Sequence, residues 1–466
     1  MRPLVAAVGD GHTTIGLTSD AAAPRRFGLR WDVVARDLYV AGVLGEADRP
    51  LLGARLAALG GVAAGELAAR LARLRGCDNE YQVRTQLALA FDTPDLLADL
   101  LDPAAPLAAA RLTLTRPDGA RVDVPLAWVA GAGDEAIRPA GGLAPPALNA
   151  ARLGWAFLDR RGDVACLRVA SLRHYREAFE VHRSTGYQGF SRARLASIAA
   201  AARGGPAPAD VDDQIAAVPA ATDLIGAMVA AMREAGTTGL IVDLRECDGG
   251  NSFLTTILGH ALYGTAALLR AAGGYQIRRY SPLYFANYAG ARDDAPAEAL
   301  ACGGYDFSEE RAWRARRAGP TDAARAAAEA AFARDAAQAP TFARAYARGE
   351  TLADRPPRVV ALTSAWTYSA GFDVAAMLVG QGAAVVGVPS APARNCFIDI
   401  LRFRLDHSGL DGTISFKWSL LFPDDAERGR VLRPERELTY ADLAARAFDP
   451  QAALALALAH LRAEGP

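Results

Sequence analysis

The sequence predicts an α/β protein with a mostly parallel sheet and tight strand-to-helix corners, accompanied by a second, smaller domain. Three observations carry this prediction. Apolar runs such as "GLIVDL" and "PRVVALT" lead into a Gly- or Ser-bearing corner and then an apolar helix, the rhythm of parallel strands joined by crossover helices. The front of the chain instead alternates short strands around Gly-Gly and Asp-Gly turns. At 466 residues the chain is also too long for one ordinary core, which points to two domains and an insertion.

Taken in order, "VGDGHTTIGL" puts His12 on a tight corner, with Asp10 and Gly11 as the turn and "TTIGL" as a strand. "DLYVAGV" reads as a strand, and "LLGARLAALGGVAAGELAARLARL" as a short strand, a Gly-Gly turn and an amphipathic helix. The stretch from Asp78 to Pro106 reads as helical, and "RLTLTRPDGARVDVPLAW" as two strands around the turn at Asp118–Gly119. The Gly-, Pro- and Ala-rich segment 130–149 is the best linker candidate. Beyond it come the strand "DVACLRVASL", a polar loop around 184–212, the helix "ATDLIGAMVAAMREAG" ending at Gly236, and the strand "GLIVDL". An Ala/Arg-rich stretch near 307–350 reads as a helical insertion, after which strand, corner, helix and strand follow in "PRVVALTSAWTYSAGFDVAAMLVGQGAAVVGVPS".

Composition narrows the function. With 51 basic and 52 acidic residues the net charge is −1, which argues against a nucleic-acid footprint. No apolar run is long enough to span a bilayer. Five scattered cysteines without a CxxC pair favour reduced thiols over disulfides or a zinc site, so neither a metal nor a cofactor is expected. "MRPLVAAVGDG" makes a poor signal peptide, and the chain as written reads as cytoplasmic, export being open if the front of the protein is cropped. Homo-oligomerisation is compatible with the sequence. The single lysine, Lys417, removes most mechanisms that depend on one.

Two corners are placed to carry chemistry. In "LIVDLRECDGGNS" the paired glycines Gly249 and Gly250 let backbone N–H groups approach a ligand, as an oxyanion hole requires; a phosphate-binding or structural turn is the alternative. In "VVALTSAWTYSAGFDVAAML" Ser369 falls between strand and helix, with the N–H of Ala370 behind it; a plain helix N-cap is the alternative, with Ser364 and Thr367 as competitors. A nucleophilic serine needs a base. Of the six histidines, His260 and His460 read as helical residues and His174, His182 and His407 as unremarkable, whereas His12 lies on a corner.

Together these corners resemble the C-terminal processing (tail-specific) serine peptidase superfamily, in its tricorn-core and interphotoreceptor-retinoid-binding-protein-like branch. "DLRECDGG" resembles the family's DLRxNxGG element, "TYSA" its T-x-S-A nucleophile corner, and "DGHT" the element that carries the histidine in the tricorn-like branch. "YVAGVLGEADRPLLGARLAALGGV" and "LTLTRPDGARV" resemble the family's PDZ-like module. The resemblance implies a crotonase/ClpP-like α/β core with a mostly parallel sheet and βα corners, plus a small PDZ-like domain. It divides the chain into a DGHT-bearing region (1–28), a PDZ-like domain (29–130), a linker (131–150) and a catalytic domain (151–466) with a helical insertion at about 285–352.

By the same resemblance Ser369 is the nucleophile, His12 the base and Glu427 the acid, with Asp424 and Asp425 as competitors. Gly249 and Ala370 form the oxyanion hole, and Gly250, Tyr368 and Tyr280 contact substrate. "VPSAPARNCF" holds no lysine where the family's dyad branch has one, and arginine cannot replace it because it stays protonated. Two departures matter: Cys247 replaces the family's asparagine, and Asp248 puts a negative charge near the oxyanion position unless it points away. The leading expectation is a peptidase acting on peptide or protein substrates, the PDZ-like segment capturing an extended peptide by strand addition. The alternatives are a degenerate binding protein for an apolar molecule or peptide on the same fold, and acyl-CoA chemistry on a crotonase-like fold.

Overall fold

A computed structural model of the chain describes residues 2–16, 25–101, 106–130, 137–139, 141–187, 191–271, 273–288, 295–318, 322–349, 351–392 and 394–463. The linker expected at 131–150 lies partly outside them, at 131–136 and 140.

The central sheet has six strands in the order Leu153–Phe157, Val164–Val169, Gly239–Asp243, Arg358–Thr363, Ala384–Gly387 and Arg436–Glu437. Only the first pairing is antiparallel; the others are parallel, with Leu167 opposite Val242 and Val242 opposite Ala361. Gly239–Asp243 is wholly buried because both faces of the sheet are covered, which is why its sequence is an unbroken apolar run. Leu240 and Val242 pack with Met228, Leu258 and Phe372 of the helices Ala221–Ala235, Leu254–Ala271 and Ala370–Gly380. Ile241, Val360 and Leu362 face the other way, toward Leu454 and Leu458 of helix Ala452–Ala463.

A second sheet runs Leu29–Val34, Asp37–Val43, Arg55–Leu59, Arg111–Thr115 and Arg121–Pro125, with Val62–Ala63 paired to Arg55–Leu59. The expected Gly-Gly and Asp-Gly turns are where the strands reverse: Gly60, Gly61 and Gly119 have φ of 55°, 81° and 87°. Helices Ala64–Ala72 and Glu80–Ala90 pack on it, and its core merges with the second face of the central sheet. The stretch 78–106 is helical at Glu80–Ala90 and Pro94–Ala98.

The third sheet is built from distant pieces. The long strand Asp411–Leu420 pairs with Asn395–Arg404 on one side, and with Thr14–Gly16 and Tyr275–Arg279 on the other. The segment 275–285 therefore begins as a strand of this sheet. Helices Ala297–Ala301, Ser308–Ala318, Asp322–Ala337 and Pro340–Arg348 follow it. One segment, 211–235, has the length and composition to cross a bilayer, yet it is two helices broken at 218–220 and half of it is buried in the protein.

Candidate active site

Ser369 immediately precedes helix Ala370–Gly380 with φ 53° and ψ −124°, a conformation that costs a non-glycine residue energy and recurs at functional sites. Its side chain makes no capping hydrogen bond. The hydroxyl that the N-cap alternative would have spent on the helix is left for other use. The competitors Ser364 and Thr367 are occupied in holding the corner. Ser364 Oγ donates to the Arg245 carbonyl at 2.6 Å, and Thr367 Oγ1 donates to the Leu244 carbonyl at 2.8 Å. The Tyr368 N–H donates to the Cys247 carbonyl at 2.9 Å, so the serine and glycine corners are clipped directly together.

The glycines are required by space. A Cβ on Gly249 (φ 87°) would lie 2.8 Å from Ser369 Cβ and 2.8 Å from the Tyr368 carbonyl oxygen. One on Gly250 (φ 140°) would lie 2.3 Å from the Leu172 backbone, to which this segment is bonded: Leu172 N–H donates to Gly249 O at 2.9 Å, and Asn251 N–H to Leu172 O at 2.8 Å. The Ala370 N–H lies in the first turn of its helix, where N–H groups have no intrahelical partner. Asp248 turns away from this position. Its carboxylate accepts from Ser171 Oγ at 2.9 Å and from the Arg173 guanidinium, which also balances its charge. Cys247 is fully buried, and burial pushes its thiol up to about 12.

His12 comes to this corner from 357 residues away, with Nε2 at 3.1 Å from Ser369 Oγ. Thr413 Oγ1 donates to the His12 carbonyl at 2.6 Å, and the pairing of Thr14 with Thr413 anchors the following strand. Asp10, 1% exposed, organises the turn: Oδ1 accepts the His12 N–H at 2.9 Å, and Oδ2 accepts Thr13 Oγ1 at 2.5 Å and Ser415 Oγ at 2.6 Å. Burial pushes the Asp10 carboxyl up, but hydrogen bonds from His12, Ser415 and Thr13 outweigh it and hold the group below its ordinary value. At the other ring nitrogen, Nδ1 lies 3.5 Å from Asp10 Oδ1 and 3.2 Å from the Tyr368 hydroxyl, whose ring stacks on the imidazole at 4.9 Å.

Glu427, the expected acid, is engaged with arginines rather than with His12. Glu427 is an exposed residue in the short helix Ala426–Arg430 and is held by Arg433 at 3.2 Å and Arg430 at 3.5 Å. Asp424 pairs with Arg317, and Asp425 caps the same helix through the Arg428 N–H. The carboxylate beside His12 is Asp10, two residues earlier in the corner already singled out. A second acid escaped sequence reasoning altogether. Asp78 Oδ1 accepts the Gly11 N–H at 2.9 Å, while its buried Oδ2 has no partner. Burial pushes the Asp78 carboxyl up to about 6, opposed by the charge of His12 and the Gly11 hydrogen bond.

Ser369 and His12 open into a cleft of about 1350 Å³, lined also by Gly250, Tyr368 and Tyr280. Lys417, distant from the serine in sequence, lines the same cleft and pairs with Asp399 at 2.6 Å.

No family model matches the chain, and no curated protein does. Solved structures do. The chain is similar to mature CPAF, with a TM-score of 0.54 at 12% identity over 100% of this chain and 88% of that one. Mature CPAF complexed with lactacystin gives 0.51 at 12% identity, over 98% of this chain and 87% of that one. The photosystem II D1 C-terminal processing protease is also matched, with a TM-score of 0.36 at 12% identity over 95% and 81%. The chain therefore has the mixed α/β fold of mature CPAF. At this identity the likeness is one of fold.

Proposed function

We propose that the protein is a serine peptidase. Ser369 Oγ attacks the scissile carbonyl, and His12 Nε2 takes its proton and later returns it to the leaving amine. Asp10, with the Tyr368 hydroxyl, holds the imidazole so that Nε2 faces the serine. The N–H groups of Gly249 and Ala370 stabilise the tetrahedral oxyanion. Water then repeats the sequence on the acyl-enzyme. The sheet at 29–125 serves as the PDZ-like module that takes an extended peptide by strand addition. The observation that carries the reading is the 3.1 Å approach of His12 Nε2 to a serine whose hydroxyl does not cap its helix.

The buried Cys247, standing where the resembled family has an asparagine, favours one rival, a non-catalytic binding protein on the same fold. A fluorophosphonate probe separates the two. Under the peptidase reading the wild type is labelled on Ser369, Ser369→Ala is not, and His12→Ala is slowed by about 10²–10⁴-fold. A folded wild type that stays unlabelled leaves the binding protein.

A further inference from the structure

The pairing of Tyr275–Arg279 with Asp411–Leu420 places Arg278 directly opposite Lys417, and side chains so placed share one face of the sheet. Both line the cleft that holds Ser369. Lys417 has Asp399 as its counter-ion. Among the described residues Arg278 has no carboxylate within ion-pair distance; its guanidinium lies 3.4 Å from the Tyr280 hydroxyl, with its centre 5.8 Å from that ring, and Tyr284 is its other phenol neighbour. Burial works against the charge of Arg278, and the surrounding phenols and Asp399 keep it protonated. The carboxyl of Asp335, another acid lining the cleft, is raised by burial and lowered by the charges of Arg334, Arg278 and Lys417, without an ion pair to Arg278. Two cations thus stand side by side, Lys417 paired with Asp399 and Arg278 without a direct carboxylate partner, an arrangement that a bound anion would relieve.

The geometry points to a substrate carboxylate. A planar guanidinium with unused N–H donors matches a carboxylate in two-point fashion, and in a partly desolvated cleft such a bond is strong. The cleft is lined as well by Gly274 and Gln276, which precede Arg278 in the chain, and by Tyr284 and Tyr288, which follow it. A peptide can therefore run through this position and offer a side chain to it. We propose that Arg278, with Lys417 and Tyr280, is a specificity-determining group that receives an aspartate or glutamate side chain of the substrate. This rests on the reading above that Ser369 and His12 hydrolyse peptides.

The test uses fluorogenic peptides in which one Asp or Glu is moved along a neutral frame, each paired with its Asn or Gln isostere and made with a free or an amidated chain end. The wild type should favour the acidic member by about tenfold or more in kcat/KM at one position, mainly through KM and regardless of the chain end. Arg278→Gln should bring that ratio near one, and Arg278→Lys should keep part of it. Equal turnover of acid and amide by the wild type overturns the proposal, as does a preference that follows the free chain end or persists in Arg278→Gln. If the wild type neither turns over peptide nor takes the fluorophosphonate, the peptidase reading fails by itself. Anisotropy binding of the same labelled pairs to the full chain then decides the carboxylate site: tighter binding of the acidic member supports it, and equal binding removes it.

Discussion

The Nδ1 of His12 meets two oxygens, Asp10 Oδ1 at 3.5 Å and the Tyr368 hydroxyl at 3.2 Å. They differ in what they offer. The phenol is neutral, because burial pushes it far above its ordinary value, whereas Asp10 is held in its charged form by three neighbouring donors. Only a charge can stabilise the imidazolium that forms as Ser369 attacks. Asp10→Asn keeps an oxygen for the His12 N–H and removes that charge. It should slow fluorophosphonate inactivation by about 10²–10⁴-fold. Tyr368→Phe, which removes one neutral hydrogen bond, should cost less than about tenfold. Inactivation rates measured on both variants, with circular dichroism to verify folding, rank the two partners; equal small losses would assign Asp10 to the turn alone.

Between elements, the decisive contact is the one clipping the glycine corner to the serine corner. Gly249 stands where any Cβ meets Ser369 Cβ and the Tyr368 carbonyl, and its φ is 87°. Gly61 has a similar φ of 81° with nothing near a Cβ, so it isolates the backbone term. Gly61→Ala should cost about 1–2 kcal/mol with activity intact. Gly249→Ala should exceed that in thermal melts and abolish labelling of Ser369, because the clash moves the nucleophile itself. This contact also marks how far the sequence could be read. The corners at 243–250 and 363–370 were legible because parallel strands buried on both faces are written as continuous apolar runs broken by Gly or Ser. The acid was not legible for the opposite reason: the carboxylate that reaches the imidazole lies inside the DGHT turn itself, where no pattern sets it apart from an ordinary turn residue. Lys417 is distant from Ser369 in sequence, and the antiparallel register of Arg278 with Lys417 places it beside the cleft. Pairings across that many residues leave no periodic trace in the chain.

At the scale of the whole molecule, the site is assembled from the DGHT turn, the 76–79 loop and the two corners of the central sheet, and Asp78 is where this assembly costs stability. Its Oδ2 is buried and unpartnered, and its carboxyl is pushed up to about 6. In the unfolded chain an aspartate titrates near 4. Between these values the folded protein binds the proton more tightly than the unfolded chain, so the contribution of Asp78 to stability is full below about pH 4 and falls as pH rises through about 6. At pH 7.5 the native state therefore carries an ionised group it would hold more easily neutral. Asp78→Asn, which still offers an oxygen to the Gly11 N–H, should be more stable than wild type at that pH by on the order of 1–2 kcal/mol, with solvent contact discounted. The gain should vanish in melts near pH 4. The same carboxylate faces the charge of His12, so an ionised Asp78 favours the imidazolium formed during catalysis, and perturbed groups of this kind gather at functional sites. Asp78→Asn should then be the more stable and slower enzyme, the opposed signs expected when a site is kept at the expense of the fold. A purely structural Asp78 would move stability and labelling rate in the same direction, so parallel melts and inactivation rates at pH 4, 6 and 7.5 distinguish the two roles.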